Sequence, residues 1–203
     1  MSTRDTSLDP KILQSAKKEF LAKGFLDTSL TKICEDAGVT TGAIYRRYNG
    51  KEGLFIEVVK PGIAIFNNLT KEGLEINKKR ATENKLHKNW MESLVKINYW
   101  IEKLYAEAET VKILLSKSDG TIYSNFMHDF IEENFNLSYT FMKDLESKGM
   151  CKLDLSYEEY HILLTSFWTA IFEMIIHDFT LDEALNFAPK INKFFAWNQL
   201  IEF

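Results

Sequence analysis

Apolar residues recur at helical spacing in the N-terminal part of the chain, and glycines interrupt them. Between Pro10 and Gly24 they stand at i, i+3 and i+4, which predicts a first helix that begins near the proline and ends at the glycine. Ser29 is a good N-cap for a second helix of about two turns, and Gly38 is placed to end it in a left-handed turn. The pattern therefore predicts two helices before Val39.

A third short helix follows directly. Thr40 or Thr41 can cap its start, and Asn49-Gly50 breaks the chain again. Two short helices thus flank a glycine turn. This is the helix-turn-helix arrangement, in which the second helix of the pair enters the major groove of DNA.

A fourth helix is predicted to begin at Gly50 and to stop at Pro61-Gly62. Proline has no amide hydrogen to donate, and it disfavours helical backbone in the residue before it. We therefore expect the domain junction here, with a helix-turn-helix domain over residues 1–60 and a second helical domain over residues 61–203. The break is also a candidate hinge for switching, and the alternative is a rigid corner.

Long helical patterns fill the second domain. Asp119-Gly120 and Lys148-Gly149 separate them, and Thr180 or Asp182 can cap the last one. Because the chain has only 3 Pro and 9 Gly, turns are scarce and the expected fold class is all-α. The predicted helices span roughly residues 85–117, 121–148, 157–179 and 182–199.

One of these helices is apolar nearly all round, so it must be covered on several sides. A second subunit would provide such cover, and the next helix in sequence has the same apolar excess. Together they predict a four-helix seam in a homodimer, whereas the alternative is a central core helix of a monomer. The residues expected at the seam are Trp168, Ile171, Ile175 and Phe194.

The charge is spread unevenly along the chain. The formal net charge is −4, which alone argues against a nucleic-acid partner, but the first 60 residues hold 10 Lys and Arg against 8 Asp and Glu, a net charge of +2. Within them, the segment from Val39 to Lys51 contains Arg46 and Arg47 and no acidic residue. Such a local basic patch attracts phosphate.

The segment from Ile12 to Phe55 resembles the DNA-binding domain of TetR-family transcriptional repressors. The resemblance rests on Gly24-Phe25, the Ala37-Gly38-Val39 turn and the Ile44-Tyr45 pair, and the spacings need no gaps. The matching sequence is ILQSAKKEFLAKGFLDTSLTKICEDAGVTTGAIYRRYNGKEGLF. The C-terminal region is compatible with the family's variable all-α ligand-binding and dimerisation domain, although no residue there is diagnostic.

The resemblance implies a role for each matching residue. Ser29 would bond amides of its own helix and a DNA phosphate, Thr31 would face the groove, and Lys51 would reach a phosphate from the next helix. The chemistry fits independently, because Arg pairs with guanine, threonine methyls contact thymine, and Tyr and Lys reach phosphate. The residues expected at DNA are Ser29, Thr31, Thr40, Thr41, Gly42, Ala43, Tyr45, Arg46, Arg47 and Lys51.

A few residues depart from those common in the family, namely Cys34, Thr41 and Ala43. These differences make the operator sequence less certain to infer, but they do not change the expected fold. The resemblance still implies a transcriptional regulator that binds a palindromic, double-stranded operator as a homodimer, and a small-molecule effector that releases it. No cofactor is expected.

Aromatic residues are numerous in the second domain, and pockets between helices are commonly apolar and aromatic. As a set they suggest a cavity for an apolar or aromatic effector, although most will be ordinary core. The candidate lining residues are Tyr99, Trp100, Phe126, Phe130 and Phe167.

Other functional classes have little support. Glu173 and His177 stand at i, i+4 and could hold a metal, but no second pair has ligand spacing, so we expect no metal site. No nucleophile elbow, Walker loop or dinucleotide motif indicates an enzyme. Two cysteines, Cys34 and Cys151, with no signal peptide or membrane span, indicate the cytoplasm. An all-α carrier or interaction protein without a DNA role is the remaining alternative.

Overall fold

The computed structural model describes residues 8–82 and 93–202 and is built almost entirely of helices, which confirms the all-α prediction. The two short strands β1 (Lys152–Leu153) and β2 (Ile201–Glu202) pair antiparallel. Residues 85–92 of the predicted helix 85–117 lie outside the described residues. The helices are α1 (Asp9–Asp27), α2 (Leu30–Ala37), α3 (Thr41–Tyr48), α4 (Lys51–Thr82), α5 (Ser93–Tyr105), α6 (Ala108–Ser116), α7 (Phe126–Ser147), α8 (Tyr157–Ile176) and α9 (Leu181–Phe195), with a 3-10 turn at Trp197–Gln199.

Local capping signals place the ends of the short helices as predicted. The Ser29 hydroxyl accepts the amide of Lys32 at 3.5 Å and begins α2. Gly38 ends α2 in the left-handed region at φ +69°, and the Thr40 hydroxyl accepts the amide of Ala43 at 3.3 Å to begin α3. Thr180 caps α9 in the same way, together with the Glu183 side chain.

The first helical stretch ends at Gly24 as predicted, and a second, short helical stretch follows it directly within α1. The chain kinks there, at φ +76° and ψ 172°, and helical backbone then continues to Asp27. The kink frees the Phe25 amide, which donates to the Lys117 carbonyl at 2.9 Å, while the buried Thr28 hydroxyl donates to the Gly24 carbonyl at 2.6 Å. These bonds satisfy the backbone groups that the kink exposes, so the two helical stretches of α1 meet at the glycine.

The predicted helix break at Pro61-Gly62 is wrong, because α4 continues through Pro61 to Thr82. The proline removes one helical hydrogen bond, the one that residue 61 would donate to Glu57. Both Pro61 and Glu57 are exposed, so the carbonyl left without a donor lies on the solvent side and can be hydrated. No helix end therefore forms a corner at Pro61-Gly62.

By compactness the chain divides into two units. The first comprises residues up to Ala64 together with Glu107–Phe126, and the second comprises Ile65–Ala106 together with Met127 onward. The sequence prediction had kept Glu107–Phe126 within the second domain. The functional assignment of the two parts remains a prediction.

In the first unit, α1, α2, α3 and the start of α4 enclose an aromatic core. The rings of Phe20 and Phe55 meet edge to face at 5.0 Å, and Phe25 meets Phe55 at 5.3 Å. Helix α6 packs on α1, and Lys17 pairs with Glu109. The unit is therefore stabilised by a distant segment that local sequence patterns do not reveal.

Aromatic residues also form the core of the second unit, around α8. Trp168 lies 5.3 Å from Phe130 and 5.1 Å from Trp100, measured between ring centroids. Helix α9 packs on α5 and α8. A further cluster beside the strand pair consists of Phe135, Met142, Leu145, Cys151, Leu153, Tyr160 and Ile201.

Burial within the chain corrects most of the predicted dimer seam. Trp168, Ile171 and Ile175 are buried inside the protomer at 6%, 1% and 3% exposure, so they cannot face a partner in this fold. The cover that α8 needs comes from the chain's own helices, which was the alternative interpretation. Of the four residues, Phe194 alone is exposed, at 83%.

Among the described helices, none has a stretch long and apolar enough to cross a bilayer.

Candidate nucleic-acid interface

The α2–α3 pair is built on a small apolar core that fixes one face of each helix. Ile33 and Ala37 of α2 and Ile44 and Tyr48 of α3 are buried. The turn between them is closed because the Val39 amide donates to the Cys34 carbonyl at 2.9 Å. With one face of α3 held in the core, the opposite face is presented to solvent.

The exposed face of α3 carries the residues predicted to read DNA. Thr41, Gly42 and Arg46 are exposed, as is Tyr45, whose side chain is 58% accessible, while Ala43 is half-buried. Thr40 is exposed immediately before the helix. Helix α3 thus presents a polar, basic and aromatic surface that begins at its N-terminus.

Tyr45 and Thr41 on this face are held by neighbours. A Cβ added at Gly50, whose φ is +97°, would lie 3.2 Å from Cε1 of the Tyr45 ring, so the tyrosine packs against the glycine backbone. The Cys34 thiol lies 3.9 Å from the Thr41 hydroxyl, at the distance of a weak S–H···O bond. Cys34 is therefore a buried part of the helix pair.

The two adjacent arginines have different surroundings. Arg46 forms no ion pair or hydrogen bond with any described residue, and it is exposed. Arg47 donates from Nη1 to Oδ1 of Asp9 at 2.6 Å, and its side chain is only 14% exposed. The expectation that Arg47 lies on the solvent face is therefore wrong, because the carboxylate at the start of α1 draws it inward.

Lys51 also has a partner inside the chain. Its ammonium donates to the Leu26 carbonyl at 3.0 Å and lies 4.7 Å from the centre of the Phe25 ring. Burial lowers the pKa of Lys51, and the nearby Asp27 carboxylate opposes this shift. A cation in the first turn of α4 opposes that helix's dipole, but the same ammonium caps the C-terminal end of α1.

The outer surface of α2 has no excess of positive charge, because Lys32 is accompanied by Glu35 and Asp36. Ser29 and Thr31 are exposed, as predicted for phosphate and groove contacts. Lys32 pairs with Asp36 at 2.7 Å, and this hydrogen bond raises the pKa of the lysine and lowers that of the aspartate. The positive charge available to DNA is therefore concentrated at α3 rather than α2.

A separate cavity of about 120 Å³ lies in the second unit. Its walls come from α4, α5, α7 and α8. Of the five residues predicted to line a pocket, Trp100 and Phe167 do so. The lining residues are Leu69, Thr70, Gly73, Leu74, Trp100, Asn134, Leu137, Ser138, Leu164, Phe167 and Trp168.

The other three predicted pocket residues are not among those that line this cavity. Tyr99 donates its hydroxyl to Glu72. Phe130 is buried in the aromatic core, 4.8 Å from Phe66. Phe126 belongs to the first compact unit. The sequence makes all three candidate lining residues, but which aromatic side chains line the cavity depends on how helices distant in sequence pack.

Within the described residues, no three His, Cys, Asp or Glu side chains come together as a metal site. Glu173 and His177, which have helical ligand spacing, form a surface pair at 3.1 Å.

The model of the tetR family of bacterial regulatory proteins matches residues 12–58. A search of curated proteins finds no significant match. Similar solved structures include NalD, the secondary repressor of the MexAB-OprM multidrug efflux pump in Pseudomonas aeruginosa, at 18% identity and a TM-score of 0.61, covering 96% of this chain and 97% of NalD. A transcriptional regulator from Aquifex aeolicus has 21% identity and a TM-score of 0.59, with 95% of this chain and 99% of that chain covered.

FadR from Bacillus subtilis, solved in complex with stearoyl-CoA, has 14% identity and a TM-score of 0.55, with 92% of this chain and 97% of FadR covered. At such identities the likeness concerns the fold. The family match falls on the helix-turn-helix whose exposed basic face is described above. Residues 12–58 therefore form a helix-turn-helix of the kind found in the tetR family of bacterial regulatory proteins, which supports a DNA-binding regulator.

Proposed function

We propose that this protein is a repressor that binds a palindromic operator as a homodimer and leaves it when a small molecule binds the second unit. The observation that carries the proposal is the face of α3, where Tyr45 and Arg46 are exposed beside the capped N-terminus of the helix. It is the arrangement needed to place side chains against base edges in a major groove.

Each part of this face has a suitable role. Arg46 is available for a bidentate bond to guanine, and the methyl group of Thr41 for contact with thymine. Gly42 allows the DNA backbone to approach closely, because a Cβ there would have only the Thr40 hydroxyl within reach, at 3.9 Å. The amides at the start of α3 suit a phosphate. Tyr45 completes the surface with a phenol hydroxyl for the DNA backbone.

Phosphate contacts would flank this reading surface. Ser29 and Thr31 are exposed at the start of α2, and we assign them to the DNA backbone. Lys51 would also contact a DNA phosphate if its ammonium donates to that phosphate and to the Leu26 carbonyl at the same time. Arg47 acts instead by bracing α3 against Asp9.

Dimerisation is supported by large apolar side chains that remain exposed on the last two helices. Phe194 of α9 is 83% exposed and Ile162 of α8 is 62% exposed. Exposed aromatic residues of this size are commonly interface anchors. A two-fold dimer through this surface would give two copies of α3 and hence a palindromic operator, with half-sites about 34 Å apart or slightly more.

Release by an effector is supported by the course of α4. This one unbroken helix contributes Lys51 to the first unit and Thr70, Gly73 and Leu74 to the cavity in the second. A molecule that binds better to one position of α4 would shift the population of DNA-competent protein. FadR, which has the same fold, was solved with stearoyl-CoA bound. The cytoplasm is the expected location of such a regulator.

Selection from a pool of random DNA duplexes tests the proposal. We expect enrichment of a palindromic sequence, bound by two protomers as measured by light scattering of the complex. The matched controls are Arg46→Ala, which should lose this enrichment, and Lys148→Ala, an exposed cation far along the chain, which should keep it. No enriched sequence with the parent protein would contradict the proposal and favour an all-α carrier or interaction protein.

A further inference from the structure

We propose that the cavity in the second unit binds an uncharged, single-ring molecule that carries one hydrogen-bond donor, such as a phenol. Its role as the effector rests on the proposed function, whereas the binding itself does not.

Three helices each turn a triplet of residues toward the cavity at i, i+3 and i+4 spacing, which places the members of a triplet on one helix face. The triplets are Thr70, Gly73 and Leu74 of α4, Asn134, Leu137 and Ser138 of α7, and Leu164, Phe167 and Trp168 of α8. Trp100 completes the wall, with its ring 6.0 Å from Phe167 and 5.1 Å from Trp168. One wall is therefore aromatic, and such rings pack edge to face or offset against an aromatic ligand.

The lining contains no ionisable side chain: every lining residue is apolar, a hydroxyl, an amide or glycine. A charged ligand would lose part of its hydration here and would meet no counter-charge on the walls, so an uncharged ligand is favoured. The cavity of about 120 Å³ is slightly smaller than a buried apolar cavity of about 150 Å³ that accepts benzene. Charge and size together point to one uncharged ring.

The side chain of Asn134 determines that the ligand should carry a hydrogen-bond donor. Its Nδ2 donates to the Phe130 carbonyl at 2.8 Å and to the Thr70 hydroxyl at 3.4 Å. Because only the amide nitrogen can donate to a carbonyl, these bonds fix the amide's orientation. Its Oδ1 accepts no hydrogen bond within the part of the chain that the structure describes, so it is an acceptor for a ligand hydroxyl.

The space around Gly73 at the cavity wall is open, unlike the space around two other glycines of α4. Gly53 and Gly62 of the same helix are crowded, since a Cβ would lie 1.7 Å from the Tyr48 carbonyl and 3.0 Å from the Thr110 hydroxyl respectively. A Cβ at Gly73 would meet nothing within 4 Å. Glycine destabilises a helix interior relative to alanine, so its place here is explained by the space it leaves at the cavity wall.

Calorimetric titration of the full-length protein with phenol, toluene and benzoate tests the inference. These probes share one ring but differ in donor and charge. We expect phenol to bind about tenfold or more tightly than benzoate, and tighter than toluene. Asn134→Leu should remove the preference for phenol over toluene. Benzoate binding as tightly as phenol would overturn the inference.

Two variants change the cavity in opposite directions. Gly73→Leu should fill it and abolish phenol binding, with the melting temperature as the check on folding. Leu137→Ala should enlarge it, so that 2-naphthol binds this variant about tenfold tighter than it binds the parent. Unchanged phenol affinity in Gly73→Leu, or unchanged 2-naphthol affinity in Leu137→Ala, would overturn the inference.

DNA binding measured in parallel separates the two proposals. If the parent binds its selected operator but no phenol, the cavity inference fails and the regulator proposal stands. If phenol binds and Gly73→Leu blocks it, but no DNA sequence is bound, the cavity inference is supported and the proposed function fails.

Discussion

Arg47 of α3 donates from Nη1 to Oδ1 of Asp9 at 2.6 Å, so α3 is tied to the first turn of α1, 38 residues earlier in the chain. The pair is mostly shielded from water, with 14% and 19% of the two side chains exposed. A cation that sequence reasoning assigned to DNA is thus used to hold the helix that presents the neighbouring arginine. Position on the helix, rather than residue type, separates the two roles.

The first prediction concerns this ion pair. Asp9→Ala and Arg47→Ala should each lower the free energy of unfolding by about 1–2 kcal/mol, because each removes an ion pair between two partly buried side chains. The double variant should cost clearly less than the sum. Urea unfolding measures stability, and DNA binding should weaken to the same extent in both single variants. A much larger DNA-binding loss in Arg47→Ala than in Asp9→Ala would indicate direct contact with DNA.

Lys51 carries a second prediction. Lys51→Ala should lower the free energy of unfolding by about 0.5–1 kcal/mol, because the Leu26 carbonyl at the end of α1 loses its cation. If the ammonium is shared with a phosphate, binding to all duplexes should weaken equally, and the slope of log affinity against log salt should fall by about one. Lys60→Ala, an exposed cation later in α4, is the control and should leave both quantities unchanged. An unaltered salt slope would assign Lys51 to structure alone.

The helix segment around Pro61 carries a third prediction. Pro61→Ala restores a helical hydrogen bond on an exposed face and should raise the free energy of unfolding by about 1–3 kcal/mol. Gly62→Leu should lower it by a similar amount, because a Cβ at Gly62 already lies 3.0 Å from the Thr110 hydroxyl and 3.1 Å from Cδ1 of Leu114. Chemical unfolding monitored by circular dichroism measures both. If Gly62→Leu raised the free energy of unfolding as Pro61→Ala does, close packing of α4 on α6 would be contradicted.

The dimer surface supplies a fourth prediction. Phe194→Asp should weaken dimerisation by about 2 kcal/mol or more while the protomer stays folded, because this ring is exposed in the protomer. Ile171→Asp, by contrast, should unfold the protein, because it buries an unpaired charge in the protomer core. Light scattering and the melting temperature distinguish the two effects. A parent protein that is monomeric at micromolar concentration would contradict the dimer proposal.

Local chemistry made much of the first unit predictable. Ser29, Gly38 and Thr40 act through bonds to residues a few positions away, so their roles follow from the sequence alone. Gly24 interrupts the helix as predicted, whereas Pro61 does not end α4, because the effect of a helix breaker depends on what lies around it. The carbonyl of Lys117 receives the amide that Gly24 frees, and solvent can hydrate the carbonyl that Pro61 leaves.

The candidate sites were predictable to different degrees. The exposed face of α3 follows from its short amphipathic pattern, apart from Arg47, whose partner is 38 residues away. For α8, the pattern correctly required cover on all sides. Whether that cover was a partner or the chain itself depends on the packing of α5 and α7, which places Trp168, Ile171 and Ile175 in the core. Periodicity carries no information on that choice.

In the proposed complex, α3 reads the operator through Arg46. The most direct test repeats the duplex selection with Arg46→Gln and compares the enriched sequence with that of the parent. We predict that preference changes at one base pair in each half-site, symmetrically, from guanine toward adenine, with the other positions retained, because glutamine pairs with adenine where arginine pairs with guanine. An enriched sequence identical to that of the parent would contradict the claim.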